Sequence, residues 1–228
     1  MLFCRLGTVD YAEAHRLQKE LQAKRIAGKI GDTVLLLEHP AVLTMGRSAK
    51  EQHVLAPPEV LEARGISVHD VGRGGDVTYH GPGQLVAYPI IDLKPDRRDV
   101  RKYMWSLEET MIRTCSDFGL SATRVEGLNG AWIGERKVGA VGVRISRWVT
   151  MHGLALNANS DLTHFDLIVP CGIQDKVVTS LSAELGRTVG VADVIVPLAT
   201  HFAGLYDTDV EWQDTLPGGL SPWPSRQP

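Results

Sequence analysis

Residues 131–159, "AWIGERKVGAVGVRISRWVTMHGLALNAN", decide the fold. Apolar runs are interrupted by "ERK" and again near Arg147, the signature of strand, turn, strand, turn, strand. Three consecutive strands joined by short turns can only pair antiparallel, so this stretch is a meander. The segment before it, "RGGDVTYHGPGQLVAYPIIDL" (73–93), opens on glycines and closes in an apolar strand over 85–91. Gly74 and Gly75 suit positive φ or a close backbone approach, and Gly81-Pro82-Gly83 suits a tight turn.

Around this core the pattern alternates between helices and strands. Asp10 and Glu13 have the spacing of a helix start, and Tyr11, Ala14, Leu17 and Leu21 form one apolar face of a helix over 10–28. "TVLLLEH" (33–39) and "AVLTMG" (41–46) read as buried strands divided by Pro40, followed by a short helix over 57–64 and a strand in "ISVHDVG". Val100, Tyr103, Met104, Leu107, Met111, Cys115 and Phe118 form a long helical stripe. Further helices are expected over 179–186 and 191–206, the second kinked or shortened by Pro197. Crossover helices together with hairpins make an α+β domain: a mixed, largely antiparallel sheet with flanking helices over residues 1–206. Its C-terminal part is expected to be a small subdomain, and 207–228 a loosely held tail containing Pro217, Pro222, Pro224 and Pro228.

Composition narrows the function. The chain has 228 residues, with 24 Lys+Arg against 27 Asp+Glu and a net charge of -3, so a nucleic-acid partner is not expected. No run is apolar enough for a membrane span or a secretory leader, and a cytoplasmic location is expected. Three cysteines, an odd number without C-x-x-C spacing, argue against disulfides and zinc, and the scattered histidines suggest no metal.

Cys4 and Cys115 fall on apolar segments and read as core. Cys171, in "IVPCGIQD" (168–175), stands between a proline and a glycine, outside any repeat. It reads either as a structural thiol or as a nucleophile, and the second requires a base or cation nearby, because a free thiol at neutral pH is only a few per cent thiolate. Lys137, where a strand opens after "ERK", could supply it, although alone it reads as a solvated hairpin charge. The glycine-rich loop fits neither common phosphate-binding spacing, but an ordinary connection has no need of Arg73, Tyr79 and His80.

Together "RGGDVTYHGPGQLVAYPIIDL", "GAWIGERKVGAVGVRIS", "MHGLALNANSDLTHF" and "IVPCGI" resemble the lipoyl(octanoyl) transferases, the lipoate-protein ligase B family, over about residues 33–186. The resemblance implies the catalytic-domain fold of biotin and lipoate ligases. It also implies transfer of an octanoyl or lipoyl group from acyl carrier protein to a lysine on the lipoyl domains of 2-oxoacid dehydrogenase complexes and on the glycine cleavage H protein. By the same resemblance Cys171 carries the acyl group as a thioester and Lys137 is its partner. Acyl-substrate contacts fall on Arg73, Gly74, Gly75, Asp76, Val77, Thr78, Tyr79 and His80, on Ala140, Val141 and Gly142, and on Gly153, Leu154 and Ala155. No ATP or other cofactor is implied, since a thioester donor is already activated. "GLNGAW" departs from the family pattern, where a threonine often precedes the glycine. An ATP-dependent ligase of the same fold, or an acyl-binding protein without catalysis, are the competing readings. The basic cluster Arg97, Arg98, Arg101 and Lys102 is a candidate dock for an acidic carrier.

Overall fold

The structure, a computed structural model, describes residues 1–169, 177–213 and 216. Its elements follow in the order β1 (Leu2–Thr8), α1 (Tyr11–Ile26), β2 (Thr33–Glu38), β3 (Val42–Met45), α2 (Pro58–Ala63), β4 (Ser67–Asp70), β5 (Thr78–His80), β6 (Gln84–Ile90) and α3 (Val100–Asp117). The second half contains β7 (Thr123–Val125), β8 (Leu128–Ile133), β9 (Arg136–Ser146), β10 (Val149–Asn157), α4 (Leu181–Leu185), α5 (Val191–Gly204) and β11 (Glu211–Gln213).

Eight strands form the main sheet in the order β11-β1-β2-β6-β10-β9-β8-β7. The two pairs involving β1 are parallel, and every other pair in this sheet is antiparallel. The expected meander is β8, β9 and β10. Its first turn is Gly134-Glu135, with Gly134 at φ 58°, which places Lys137 inside β9 rather than in the turn. Arg147 and Trp148 form the second turn, both at positive φ (50° and 69°), the geometry that matches the twist of a two-residue hairpin.

α3 and α5 cover one face of this sheet, where Leu107, Met111 and Cys115 meet Leu85, Ala87, Leu154, Leu198 and Phe202. α1 covers the other, where Ala14, Leu17 and Leu21 meet Leu35, Val86, Tyr88 and Ala155. Asp10 Oδ1 starts α1 by accepting from the N–H of Ala12 (2.8 Å), while Glu13 turns outward to Arg16. Asp99 Oδ1 starts α3 by accepting from the N–H of Lys102 (3.0 Å). On the α3 stripe Tyr103, Leu107, Met111 and Cys115 are buried, Met104 and Phe118 half-buried, and Val100 exposed.

Three features depart from the sequence expectations. Pro40 does more than divide two strands: β2 enters the main sheet, whereas β3 pairs with β4 and β5 in a separate three-stranded sheet. α5 continues through Pro197 for 14 residues, since the carbonyl deprived of its donor belongs to Asp193, which is solvent-exposed. Residues 211–213, read as part of a loose tail, pair with β1 as an edge strand, and Trp212 packs against Phe3 (centroids 5.8 Å apart) beneath the guanidinium of Arg5 (4.1 Å). Among the described residues no helix is long and apolar enough to cross a membrane.

Candidate active site

The small sheet and the loop before β5 lie over the α1 side of β6, β10 and β9. A cavity remains between them, about 800 Å3 counted with its open mouth. Its floor is unusually bare. β9 and β10 pair Ala140 with Ala155 and Gly142 with Gly153, so neighbouring strands offer side chains of one carbon or none. A Cβ on Gly142 would stand 3.1 Å from Arg73 Cδ and 3.2 Å from the Gly74 carbonyl, which shows how closely the loop approaches the floor. At Gly153 a Cβ would stand 2.3 Å from the Ala87 carbonyl, so β6, not a ligand, explains this glycine.

The loop is held at several points. Gly74 N–H donates to the Val143 carbonyl (2.9 Å), and Gly75 adopts φ 87°. Arg73 is buried, its guanidinium donating to the Thr44 carbonyl (2.7 Å) and Thr44 Oγ1 (2.8 Å) of β3. Asp76 accepts from the Val77 N–H (2.7 Å) and contacts His53 Nδ1 (2.8 Å), which anchors the loop to the 51–53 turn.

Of the residues expected to contact substrate, Arg73, Gly75, Asp76, Val77, Thr78 and His80 line the cavity, with Ala140, Val141, Gly142, Gly153, Leu154 and Ala155. Gly74 and Tyr79 do not. Gly74 ties the loop to β9 from behind, and Tyr79 is buried in the core under the small sheet, its hydroxyl donating to His164 Nδ1 (2.8 Å).

Lys137 lines one end of the cavity, its Nζ 5.4 Å from the centre of the Trp132 ring. Two features set its place. Gly130 on β8 adopts φ 120°, and a Cβ there would stand 2.8 Å from Lys137 Cε; the Gly130 N–H is fixed by Glu108 Oε1 of α3 (2.8 Å). On its other side, Lys137 N–H donates to the Val177 carbonyl and its carbonyl accepts from Thr179 N–H, both at 2.9 Å. Cys171 lies outside the described residues. The chain on either side of that segment is anchored twice: Val169 N–H donates to the His53 carbonyl (2.8 Å), and Val177 to Thr179 run beside Lys137.

Polar residues missed by the sequence reading complete the walls. Gln84 and Asn157, paired across β6 and β10, hydrogen-bond to each other (2.9 Å), and Gln84 Oε1 accepts from His80 Nδ1 (2.7 Å). Tyr11, Tyr88, His152, Phe165 and Val178 also line the cavity. A polar residue directly after the Gly-Pro-Gly turn, at the head of an otherwise apolar strand, is the one signal that could have identified Gln84. Behind the cavity, His39 Nδ1 donates to the Val9 carbonyl (2.7 Å), which leaves Nε2 to accept from Tyr88 O–H (2.8 Å). Burial depresses three of these imidazoles from their ordinary 6.5, to about 4 for His39 and about 3 for His80 and His152, so these three are neutral near pH 7. Among the described residues no three His, Cys, Asp or Glu side chains gather to hold a metal.

Arg97 of the basic cluster is turned away from this site. It donates to the Tyr206 carbonyl (3.3 Å) and stacks on that ring, beyond the Ile90 end of β6, whereas Lys137 adjoins the Gln84 end.

The lipoyl protein ligase A/B catalytic domain matches residues 10–203. An octanoyltransferase of Koribacter versatilis is 47% identical over 98% of this chain and 90% of its own length. One from Chloroflexus aurantiacus is 52% identical over 88% of this chain and 92% of its own. Among solved structures, lipoate-protein ligase A bound with ATP superposes with a TM-score of 0.73 at 14% identity, covering 93% of this chain and 89% of that one. A biotin protein ligase from Aquifex aeolicus in complex with biotin and ATP gives a TM-score of 0.57 at 14% identity, covering 90% and 70%. The two superpositions establish the shared fold, and the sequence matches establish the family: the chain belongs to the lipoyl protein ligase A/B catalytic-domain family, among its octanoyltransferases.

Proposed function

We propose that this acyltransferase moves an octanoyl group from the thioester of an acyl carrier protein, through a thioester on Cys171, to a lysine of a lipoyl domain. Recipients are the lipoyl domains of 2-oxoacid dehydrogenase complexes and the glycine cleavage H protein, and the reaction takes place in the cytoplasm. The observation that carries this reading is the position of Lys137. It stands at one end of a cavity floored by Ala140, Ala155, Gly142 and Gly153, and its backbone is bonded to Val177 and Thr179, which follow the segment bearing Cys171.

The steps follow from these groups. Lys137 accepts the proton of the Cys171 thiol, and the thiolate attacks the carrier thioester carbonyl. The tetrahedral intermediate collapses, the carbon–sulfur bond to the carrier breaks, and the carrier thiolate takes the proton back from Lys137. The octanoyl chain lies along the bare floor, where each methylene removed from water contributes about 0.8 kcal/mol. The amine of the lipoyl-domain lysine then attacks the enzyme thioester, the amide forms, and Cys171 leaves as the thiol. The first exchange is nearly isoenergetic and amide formation drives the second, so no ATP is consumed.

The test is to mix the protein with octanoyl carrier and an apo lipoyl domain in the absence of ATP. Transfer is expected, together with a hydroxylamine-labile octanoyl adduct that is missing in Cys171→Ala. Transfer that appears only when ATP is added would establish the ligase reading instead, and a normal adduct on Cys171→Ala would overturn the role of that cysteine.

A further inference from the structure

We propose that the far end of the acyl cavity, where Tyr11 and His152 line it beside Tyr88, limits acyl length by polarity rather than by bulk. The inference rests on the acyl-transfer reading above and adds to it what the site refuses.

The strand register supplies the ruler. Lys137 marks one end of the cavity. His152 pairs with Val143, six positions further along β9, about 20 Å at ~3.3 Å per residue. From carbon–carbon bonds of about 1.5 Å, an extended eight-carbon chain spans about 9 Å and a twelve-carbon chain about 14 Å. A chain held at the Lys137 end therefore finishes near Ala140, three positions or about 10 Å along β9, if it has eight carbons. With twelve it approaches His152 and Tyr11.

Those two residues have unmet hydrogen-bonding capacity. Tyr11 and His152 are each 2% exposed, and among the described residues neither the Tyr11 hydroxyl nor His152 Nε2 has a hydrogen-bond partner. Tyr88, by contrast, spends its hydroxyl on His39 Nε2 (2.8 Å). Buried polar atoms of this kind are ordinarily satisfied, by ordered water where the protein supplies nothing. His152 is also held deliberately. It is a non-glycine residue at φ 57° inside a strand, a conformation that persists only when its surroundings impose it, and its N–H is fixed by Gln18 Oε1 (2.7 Å). An octanoyl methyl stops short and leaves the hydration of Tyr11 and His152 intact. Further methylenes displace that water and offer no hydrogen bond in return, so the gain of about fourfold per methylene is set against a loss of about fivefold to a hundredfold for each polar atom stranded. A stop made of bulk would be indifferent to the hydroxyl, whereas this one depends on it.

The experiment compares kcat/KM for octanoyl and dodecanoyl carrier donors in the parent and in Tyr11→Phe, which keeps the ring and removes only the hydroxyl. The dodecanoyl-to-octanoyl ratio is expected to rise by at least about fivefold in the variant; a smaller rise overturns the proposal. A second measurement needs neither the variant nor turnover. In calorimetry the parent is expected to bind 12-hydroxydodecanoate at least about fivefold more tightly than dodecanoate, and equal affinities overturn the proposal. Failure of the parent to transfer octanoyl groups would defeat the functional reading alone, since binding of the free acids still decides the role of Tyr11 and His152.

Discussion

Mild acid is expected to destabilise this protein through three imidazoles. His39, His80 and His152 are 0%, 7% and 2% exposed, and burial lowers them from 6.5 to about 4, 3 and 3. In the unfolded chain each takes up a proton near its ordinary value, while in the folded chain it stays neutral until the solution is far more acidic. Between these values the unfolded state binds more protons, so the stability they confer is complete above 6.5 and is lost as pH falls toward 4. At about 1.4 kcal/mol per unit, bringing the solution from neutrality to about pH 5 removes about 2 kcal/mol for each histidine and about 6 kcal/mol for the three. That compares with a total of about 5–15 kcal/mol for an ordinary domain. His15, lowered to about 4 but only partly buried, adds a smaller share. Glu109, Glu184 and Asp161 are also lowered, from 4.5, 4.5 and 3.8, and so weaken the fold in acid too, but only below those values and outside this window. Urea unfolding at fixed ionic strength, repeated in steps from about pH 7.5 to about pH 5, measures the effect. The limiting slope should approach about 4 kcal/mol per pH unit, the signature of three protons, and should fall by about one third in His39→Gln. A slope amounting to less than one proton would refute the account of neutral, buried histidines.

Other outcomes follow from the site. Lys137→Ala should slow acylation of Cys171 while leaving the urea midpoint close to the parent's, and an unchanged pH profile for alkylation of Cys171 would break the proposed coupling. In Gly130→Ala the new Cβ would meet the Gly139 carbonyl at 2.3 Å and Lys137 Cε at 2.8 Å, at a φ of 120°. Both the melting temperature and the acylation rate should drop, with about 1–3 kcal/mol lost to backbone strain; a fall in stability with normal acylation would show that Gly130 does not set the position of Lys137. Gly142→Val fills the floor against Arg73 and should raise KM for the octanoyl donor by about fivefold or more, whereas an unchanged KM would place the acyl chain elsewhere.

Much of this was legible in the residues, for reasons that can be stated. The β8–β10 meander and the buried run of α3 follow from strict periodicity, and Gly75 and Gly83 take the positive φ that their turns require, 87° and 80°. Tyr11 shows where periodicity stops informing. It shares a helical face with Ala14, Leu17 and Leu21, yet those three pack on the sheet while Tyr11 stands in a cavity wall. A helical face specifies direction, not what it meets. The separation of β3 from β2 was equally hidden, since a buried strand carries the same apolar run whichever sheet receives it. β11 escaped notice because three residues are too few to show alternation.

The bare floor formed by Ala140, Ala155, Gly142 and Gly153 also bears on adaptability. Alanine and glycine have no side-chain rotamers to freeze, so a bound chain costs the floor almost no conformational entropy. The same absence removes the means by which methionine-rich pockets reshape themselves around different guests. Such a floor cannot be retuned by rotamer changes within it. A change of acyl preference has to come from the surrounding walls, at Val77, Phe165 or Tyr11, or from moving the strands themselves.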